Sequence, residues 1–344
     1  MHHRPTGPCA STFVLIASLG AAGPALAAGK LSLQVGQAEF AGLQIEDLGL
    51  DWTPRTATGG KVGMRAARIR GVGATGPLSA ISIDCAELAI SGNLLSCKSG
   101  RLSGALGSLG GQNTKFSART LTDGSLELHL DAVALAGGRA KVDLRLDGAV
   151  WKLDSALSEI DLTAMTKVAA PWFELPEGFT AAGRASGRVR ATGRNDDLRT
   201  TDADFAIARL DFADAAGALA GEAVAGELKI KLVADRSGDF VTDGRLTLTG
   251  GQAYSDPVFL DFGAHQLAAD FAGILSSDAS QFVATRFSLV HEGVASVTGS
   301  ATLDLFGETM LQEAKLAIPD LDLANAVPAY VQPYLTGTSL KDLA

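Results

Sequence analysis

The sequence predicts a mostly-β protein: an extended antiparallel array built from one repeated supersecondary unit, with a short helix closing each copy. Three observations carry this. The stretch from Leu126 to Leu162 returns, without a gap, from Phe287 to Leu323. Leu128 falls on Leu289, Val133 on Val294, Gly138 on Gly299, Ala140 on Ala301, Asp143 on Asp304 and Leu144 on Leu305, at a constant offset (304 − 143 = 161; 323 − 162 = 161). A fixed long period marks an array whose units stack on their neighbours, and such arrays present extended surfaces instead of one central pocket. Apolar residues alternate with polar ones over most of the chain, the period of half-buried strands. Finally, 40 of the 344 residues are Gly, about 12% against a usual 7%, more than helices tolerate and what turns and bulges between short strands require.

The composition also excludes partners. Net charge is −9 and no basic cluster stands out, so neither nucleic acid nor anionic lipid headgroups find an electrostatic footprint. Only 6% of residues are aromatic, so Leu, Val and Ala must supply most of the burial.

Residues 1–27 have the composition of an export signal. His2, His3 and Arg4 precede the apolar run Phe13 to Leu19, then Pro24 and the small-residue ending Ala25-Leu26-Ala27. A membrane span needs roughly 20 apolar residues, and Gly20, Gly23 and Pro24 interrupt this run first. Cleavage after Ala27 or Ala28 is expected, the rival being an uncleaved inner-membrane anchor. Export places the mature chain in the periplasm.

The region 28–125 is expected to be all strand. Leu31, Leu33 and Val35 alternate, then Leu43, Ile45, Leu48, Leu50 and Trp52 with one slip, then Val62, Met64 and Ala66. Ile81-Ser-Ile-Asp-Cys85 and Leu94-Leu-Ser-Cys97 flank the turn chemistry of Ser91-Gly92-Asn93, so a hairpin could bring Cys85 opposite Cys97. An oxidising compartment favours the disulfide; the alternative is two buried thiols.

From 126 to 175 the first copy ends. Leu126, Leu128 and Leu130 form a strand, Gly137-Gly138 a turn, and Val142, Leu144 and Leu146 the next strand. Asp161 can cap a short helix with Leu162, Met165 and Val168 on one face, followed by Pro171, Trp172, Phe173 and Pro176. The second region, 176–344, opens with the Gly-rich run Gly183 to Gly193. It resembles a phosphate loop only superficially, since no helix with Lys-Ser or Lys-Thr follows. A strand with Arg184, Arg188 and Arg190 on its wet face fits better. Strands follow through Phe205 and Ile207, Leu228, Ile230 and Leu232, Leu246 and Leu248, Leu267 to Phe271, Phe287 and Leu289, and Leu303 and Leu305. Asp322 is placed to cap a second helix over Leu323 to Val327, with Pro328, Tyr330, Pro333 and Tyr334 beyond. The chain stops at Leu340-Lys-Asp-Leu-Ala344, where the first copy moves on to its Gly183 strand, so this repeat is expected to be cut short.

No catalytic constellation emerges, and the expectation is a non-enzyme without cofactor or metal. His129, His265 and His291 each sit alone in a strand pattern, and the repeat places Val290 opposite His129. No Gly-x-Ser-x-Gly elbow is present. Cys85 and Cys97 lack the His pair that would make a zinc site.

The Gly-x-x-x-Gly-x-Val-x-x-x-Gly run from Gly183 to Gly193, the Leu-Asp-Leu before a Pro-bounded helix at Asp320 to Tyr334 and the long succession of alternating strands resemble the AsmA-like superfamily of bacterial envelope proteins. The paired Cys85 and Cys97 and the closing Tyr330-Val-Gln-Pro-Tyr-Leu335-Thr-Gly most resemble its YdbH branch. The resemblance implies an elongated, curved sheet, a repeating β-groove that is apolar inside and polar outside. It further implies movement of phospholipid between inner and outer membranes, with inner- and outer-membrane proteins as possible partners. Physical reasoning agrees: about 20 strands at about 4.8 Å give a sheet roughly 100 Å long, and a dry face could shelter acyl chains at about 0.8 kcal/mol per methylene. Groove-lining candidates are Leu126, Leu128, Leu130, Val142, Leu144, Leu146, Leu228, Ile230, Leu232, Leu246, Leu248, Phe287, Leu289, Leu303 and Leu305. The competing expectation is a sealed β-sandwich core in a structural or assembly factor that binds proteins through a sheet edge.

Overall fold

A computed structural model describes residues 29–40, 43–70, 76–169, 178–195, 197–215, 217–255, 258–305 and 311–331. The expected signal, and Pro171, Trp172, Phe173, Pro176, Pro333 and Tyr334, lie outside them. Among the described residues the chain is mostly strand, and all eighteen strands belong to one antiparallel sheet, as the alternation predicted. They fall into two compact units.

The first unit carries β1 (Leu31–Phe40), β2 (Leu43–Thr56), β3 (Gly59–Arg70), β4 (Leu78–Ser91), β5 (Leu94–Leu106), β6 (Gly111–Thr120) and β7 (Leu126–Leu135), then β8 (Gly138–Asp147) and the start of β9 (Val150–Asp161). From β1 to β7 each strand pairs with its sequence neighbour, since connections this short permit only hairpins. The slip in β2, between Ile45 and Leu48, falls at Asp47, which adopts φ 51°. Cys85 on β4 and Cys97 on β5 form the expected disulfide, with Cα atoms 6.0 Å apart and both side chains buried.

The second unit takes the end of β9, α1 (Leu162–Ala169), most of β10 (Thr180–Arg194), β11 (Asp197–Ala213), β12 (Leu219–Ala234), β13 (Phe240–Ser255), the short β14 (Val258–Asp261), β15 (Leu267–Leu275), β16 (Gln281–His291), β17 (Ala295–Asp304) and β18 (Leu311–Leu321). It ends in α2 (Leu323–Ala326), which runs into a single π-helical turn, Val327–Val331. The Gly-rich run is strand β10, with Arg184, Arg188 and Arg190 along it. Gly183 is required there: its φ is 134°, and a Cβ would run into the Arg209 carbonyl of β11.

Both helices begin where the sequence places their caps. The Asp161 Oδ1 accepts from the Ala164 N–H at 2.9 Å, and the Asp322 Oδ1 from the Ala324 N–H at 2.9 Å. The backbone N–H of each capping residue also donates to a turn carbonyl of the preceding hairpin, Asp161 to Ala136 and Asp322 to Val294, both at 2.9 Å. This refines the repeat. The ungapped alignment matches Val133 with Val294, whereas the hydrogen bonds match Ala136 with Val294: the spans are 161 − 136 = 25 and 322 − 294 = 28 residues. The difference arises in the hairpin link, where β8 and β9 are joined by two residues and β17 and β18 by six (150 − 147 − 1 = 2; 311 − 304 − 1 = 6).

Candidate functional site

The pairing register assembles continuous apolar rows, because directly opposed residues of an antiparallel pair share a face. In the first unit one row runs Leu31, Trp52, Val62, Cys85, Gly100, Phe116 and Leu130, from β1 to β7. Beside it run Leu33, Leu50, Met64, Ile83 and Leu102. Leu128 pairs with Ala118, and Ala118 with Cys97, so the disulfide lies on this apolar face. Leu126 opposes Thr120. Val142, Leu144 and Leu146 alternate along β8; the first two are half-buried and Leu146 is exposed.

The second unit repeats the arrangement. Phe205, Leu228, Leu246, Ala269, Leu289 and Val297 form one row from β11 to β17. The next holds Ala203, Ile230, Gly244, Phe271, Phe287 and Gly299. Leu232 opposes Thr242, Leu248 opposes Leu267, and Leu303 opposes Phe282. Leu305 lies just past β17, its N–H donating to the Ser280 carbonyl at 2.8 Å.

The opposite faces are rich in charge. Across the second unit Asp204, Lys229, Arg245 and Asp270 stand side by side, with Arg245 and Asp270 3.8 Å apart. In the first unit Asp84 stands beside Arg101 and Arg101 beside Lys115, and Arg119 contacts Glu127 at 2.7 Å. His129 belongs to this outer face. Its Nδ1 lies 2.6 Å from Asp143 of β8 and its Nε2 2.8 Å from Asp131, and the Asp143 contact above all raises its pKa above the ordinary 6.5.

The candidate groove residues are half-buried, Leu146 excepted. Two polar side chains buried near the apolar rows of the first unit, Gln112 and Thr114, satisfy themselves internally. Gln112 exchanges hydrogen bonds with both backbone groups of Ala134, at 2.9 and 2.8 Å, and the Thr114 hydroxyl accepts from the Ala132 N–H at 3.1 Å. Among the described residues, fully buried apolar clusters are small: Val224, Phe262 and Leu267 in one, Val294, Ala295 and Ala326 in another.

The helical turn after α2 packs beside the β16–β17 end of the second unit. Tyr330 packs against the cluster of Val294, Ala295 and Ala326, and its hydroxyl lies 2.6 Å from Nδ1 of His291. His291 is 1% exposed, its Nε2 has no partner among the described residues, and the His265 ring stands edge-on at 5.7 Å. Burial first, then the neighbouring His265, depresses the His291 pKa, and burial raises that of Tyr330. The sequence pattern leaves these two histidines isolated, because they lie 26 positions apart (291 − 265 = 26) and only the β15–β16 hairpin brings them together.

Among the described residues no group of His, Cys, Asp and Glu could hold a metal ion, and no helix is long and apolar enough to cross a membrane. Comparison with protein-family models, with curated proteins and with solved structures finds no match to this chain.

Proposed function

We propose that this protein conveys lipid in the cell envelope, sheltering phospholipid acyl chains along its apolar sheet face between the inner and outer membranes. The observation that carries the reading is sidedness. Apolar rows cross the strands of each unit without a charged interruption, opposite a face rich in charge, and most of their large side chains remain half-buried, with Leu31 and Leu33 more exposed still. A sealed sandwich core would take Leu228, Leu246 and Leu289 fully out of solvent. Half-exposed aliphatic side chains favour an occupant that comes and goes. At about 0.8 kcal/mol per sheltered methylene, a fatty chain gains enough from such a wall without a polar anchor. A uniform aliphatic wall suits this role, because it holds tails weakly everywhere and strongly nowhere.

The test is direct. Purified full-length protein should carry phospholipid detectable by mass spectrometry after solvent extraction, and a photocrosslinker replacing Leu144 or Leu246 should label acyl chains. Lipid-free protein that also fails to crosslink from either position overturns the reading in favour of an envelope assembly factor.

A further inference from the structure

The apolar faces contain a recurrent pairing that alternation alone does not require. Gly100 on β5 is directly opposite Phe116 on β6, Gly221 on β12 opposite Phe212 on β11, and Gly244 on β13 opposite Phe271 on β15. In all three, the nearest atoms to a Cβ built on the glycine are ring atoms of that partner, and the overlap is severe. The ring therefore lies across the glycine, flat along the sheet, where any larger residue would hold it off. Glycine weakens a strand interior, and an aromatic ring packed over it offsets that cost.

Other glycines on these strands act differently. At Gly226 and Gly299 a Cβ would meet a neighbouring carbonyl oxygen, so those positions protect the backbone pairing itself. At Gly100, Gly221 and Gly244 the nearest obstacle is the far end of a side chain, and a ring can rotate out of the sheet plane without disturbing the ladder.

We propose that the glycines at 100, 221 and 244 set the clearance of the apolar face, keeping Phe116, Phe212 and Phe271 flat so that an acyl chain can lie over them. The inference rests on the lipid-conveying reading and adds to it the positions that control passage and the cargo class they suit. Low clearance at these three glycines admits slender, flexible chains, while the Phe282 ring, nearly perpendicular to Phe271 at 5.9 Å, narrows the room left beside it for a bulky rigid ring system. The device recurs in each unit, at Gly100 in the first and at Gly221 and Gly244 in the second.

The experiment compares the full chain with Gly244→Ala and with the double variant Gly244→Ala/Phe271→Ala, each carrying a photocrosslinker at Leu246, in vesicles of phosphatidylethanolamine and phosphatidylglycerol. Circular dichroism checks that the variants keep the strand content of the parent. The expected result is a several-fold drop in acyl crosslinking for Gly244→Ala and recovery when the ring is also removed. If the parent crosslinks and Gly244→Ala crosslinks equally well, the clearance proposal is overturned while the conveying function stands. If the parent carries no phospholipid and crosslinks from neither Leu246 nor Leu144, the conveying function fails and this proposal fails with it. A Gly100→Ala variant read from a crosslinker at Leu130 repeats the test independently in the first unit.

Discussion

The Nδ1 atom of His291 and the hydroxyl of Tyr330 meet at 2.6 Å across 39 residues of chain, and this contact ties the terminal helical turn to the last row of the apolar face. One ring nitrogen is thus satisfied and the other, Nε2, is buried without a partner among the described residues. Replacing Tyr330 by Phe strips His291 of that hydroxyl, and a buried polar group left unpaired costs about 1–3 kcal/mol. Tyr330→Phe should therefore lower the urea midpoint and hasten hydrogen exchange over 322–331. Unchanged exchange there would show that the turn is held by packing against the Val294, Ala295 and Ala326 cluster alone.

The two histidines with resolved shifts make opposite pH predictions. His291 has a depressed folded pKa, so its neutral form is stable in the fold above the unfolded value of 6.5. Below 6.5 the unfolded chain takes up a proton that the fold refuses, and stability falls until the depressed folded value is reached. The charged groups around it offer little rescue: His265 opposes protonation, and only the attraction of Asp261 and a contact with the His265 backbone favour it. His129 has a raised folded pKa, so its contribution is complete below 6.5 and disappears as pH rises through the raised value. Urea titrations of His291→Gln and His129→Gln across this range should show the acid-side loss reduced in the first and the alkaline-side loss reduced in the second. Identical pH profiles for the parent and both variants would remove the assignment.

Cys85 and Cys97 close a short loop, at a sequence separation of 12. Cross-linking a loop of this length stabilises by about 3 kcal/mol, chiefly by restricting the unfolded chain. The double substitution Cys85→Ser/Cys97→Ser should lower stability by about that amount, and reductant should then have no further effect on the midpoint.

Gly183→Ala should break the β10–β11 edge, since the residue sits at φ 134° and its Cβ would strike the Arg209 carbonyl. The expected outcome is loss of hydrogen-exchange protection in 180–194 at a cost of about 1–3 kcal/mol. Gly49→Ala, where a Cβ meets nothing within 4 Å, is the control and should be neutral.

Charge on the apolar face should act on lipid before it acts on fold. Leu246 is half-buried at the centre of its row, between Leu228 and Ala269. Leu246→Lys should sharply reduce co-purified phospholipid, while Lys229→Ala on the opposite face should leave it unchanged. Equal lipid content in both variants would separate lipid from the apolar face.

Much of this was legible in the residue order. Alternation located the strands and which residues share a face, and Asp161 and Asp322 marked both helix starts. Turn chemistry at Gly92-Asn93 brought the two cysteines into one hairpin, because all of these depend on neighbours a few positions apart. The hairpin offset was not legible. An ungapped match of period 161 aligned Val133 with Val294, although the two capping hydrogen bonds require Ala136 there, since loop length between paired strands leaves no trace in the apolar pattern.

Local order along the chain thus determined an antiparallel, two-faced protein with one dry side and short helices closing its repeats. Only the folded register decided that Gly244 lies under Phe271, that Gly100 lies under Phe116, and that His291 meets Tyr330 and His265. Partner choice between strands follows from bulges, loop lengths and the sum of many weak cross-strand contacts, and no single stretch of sequence contains that sum.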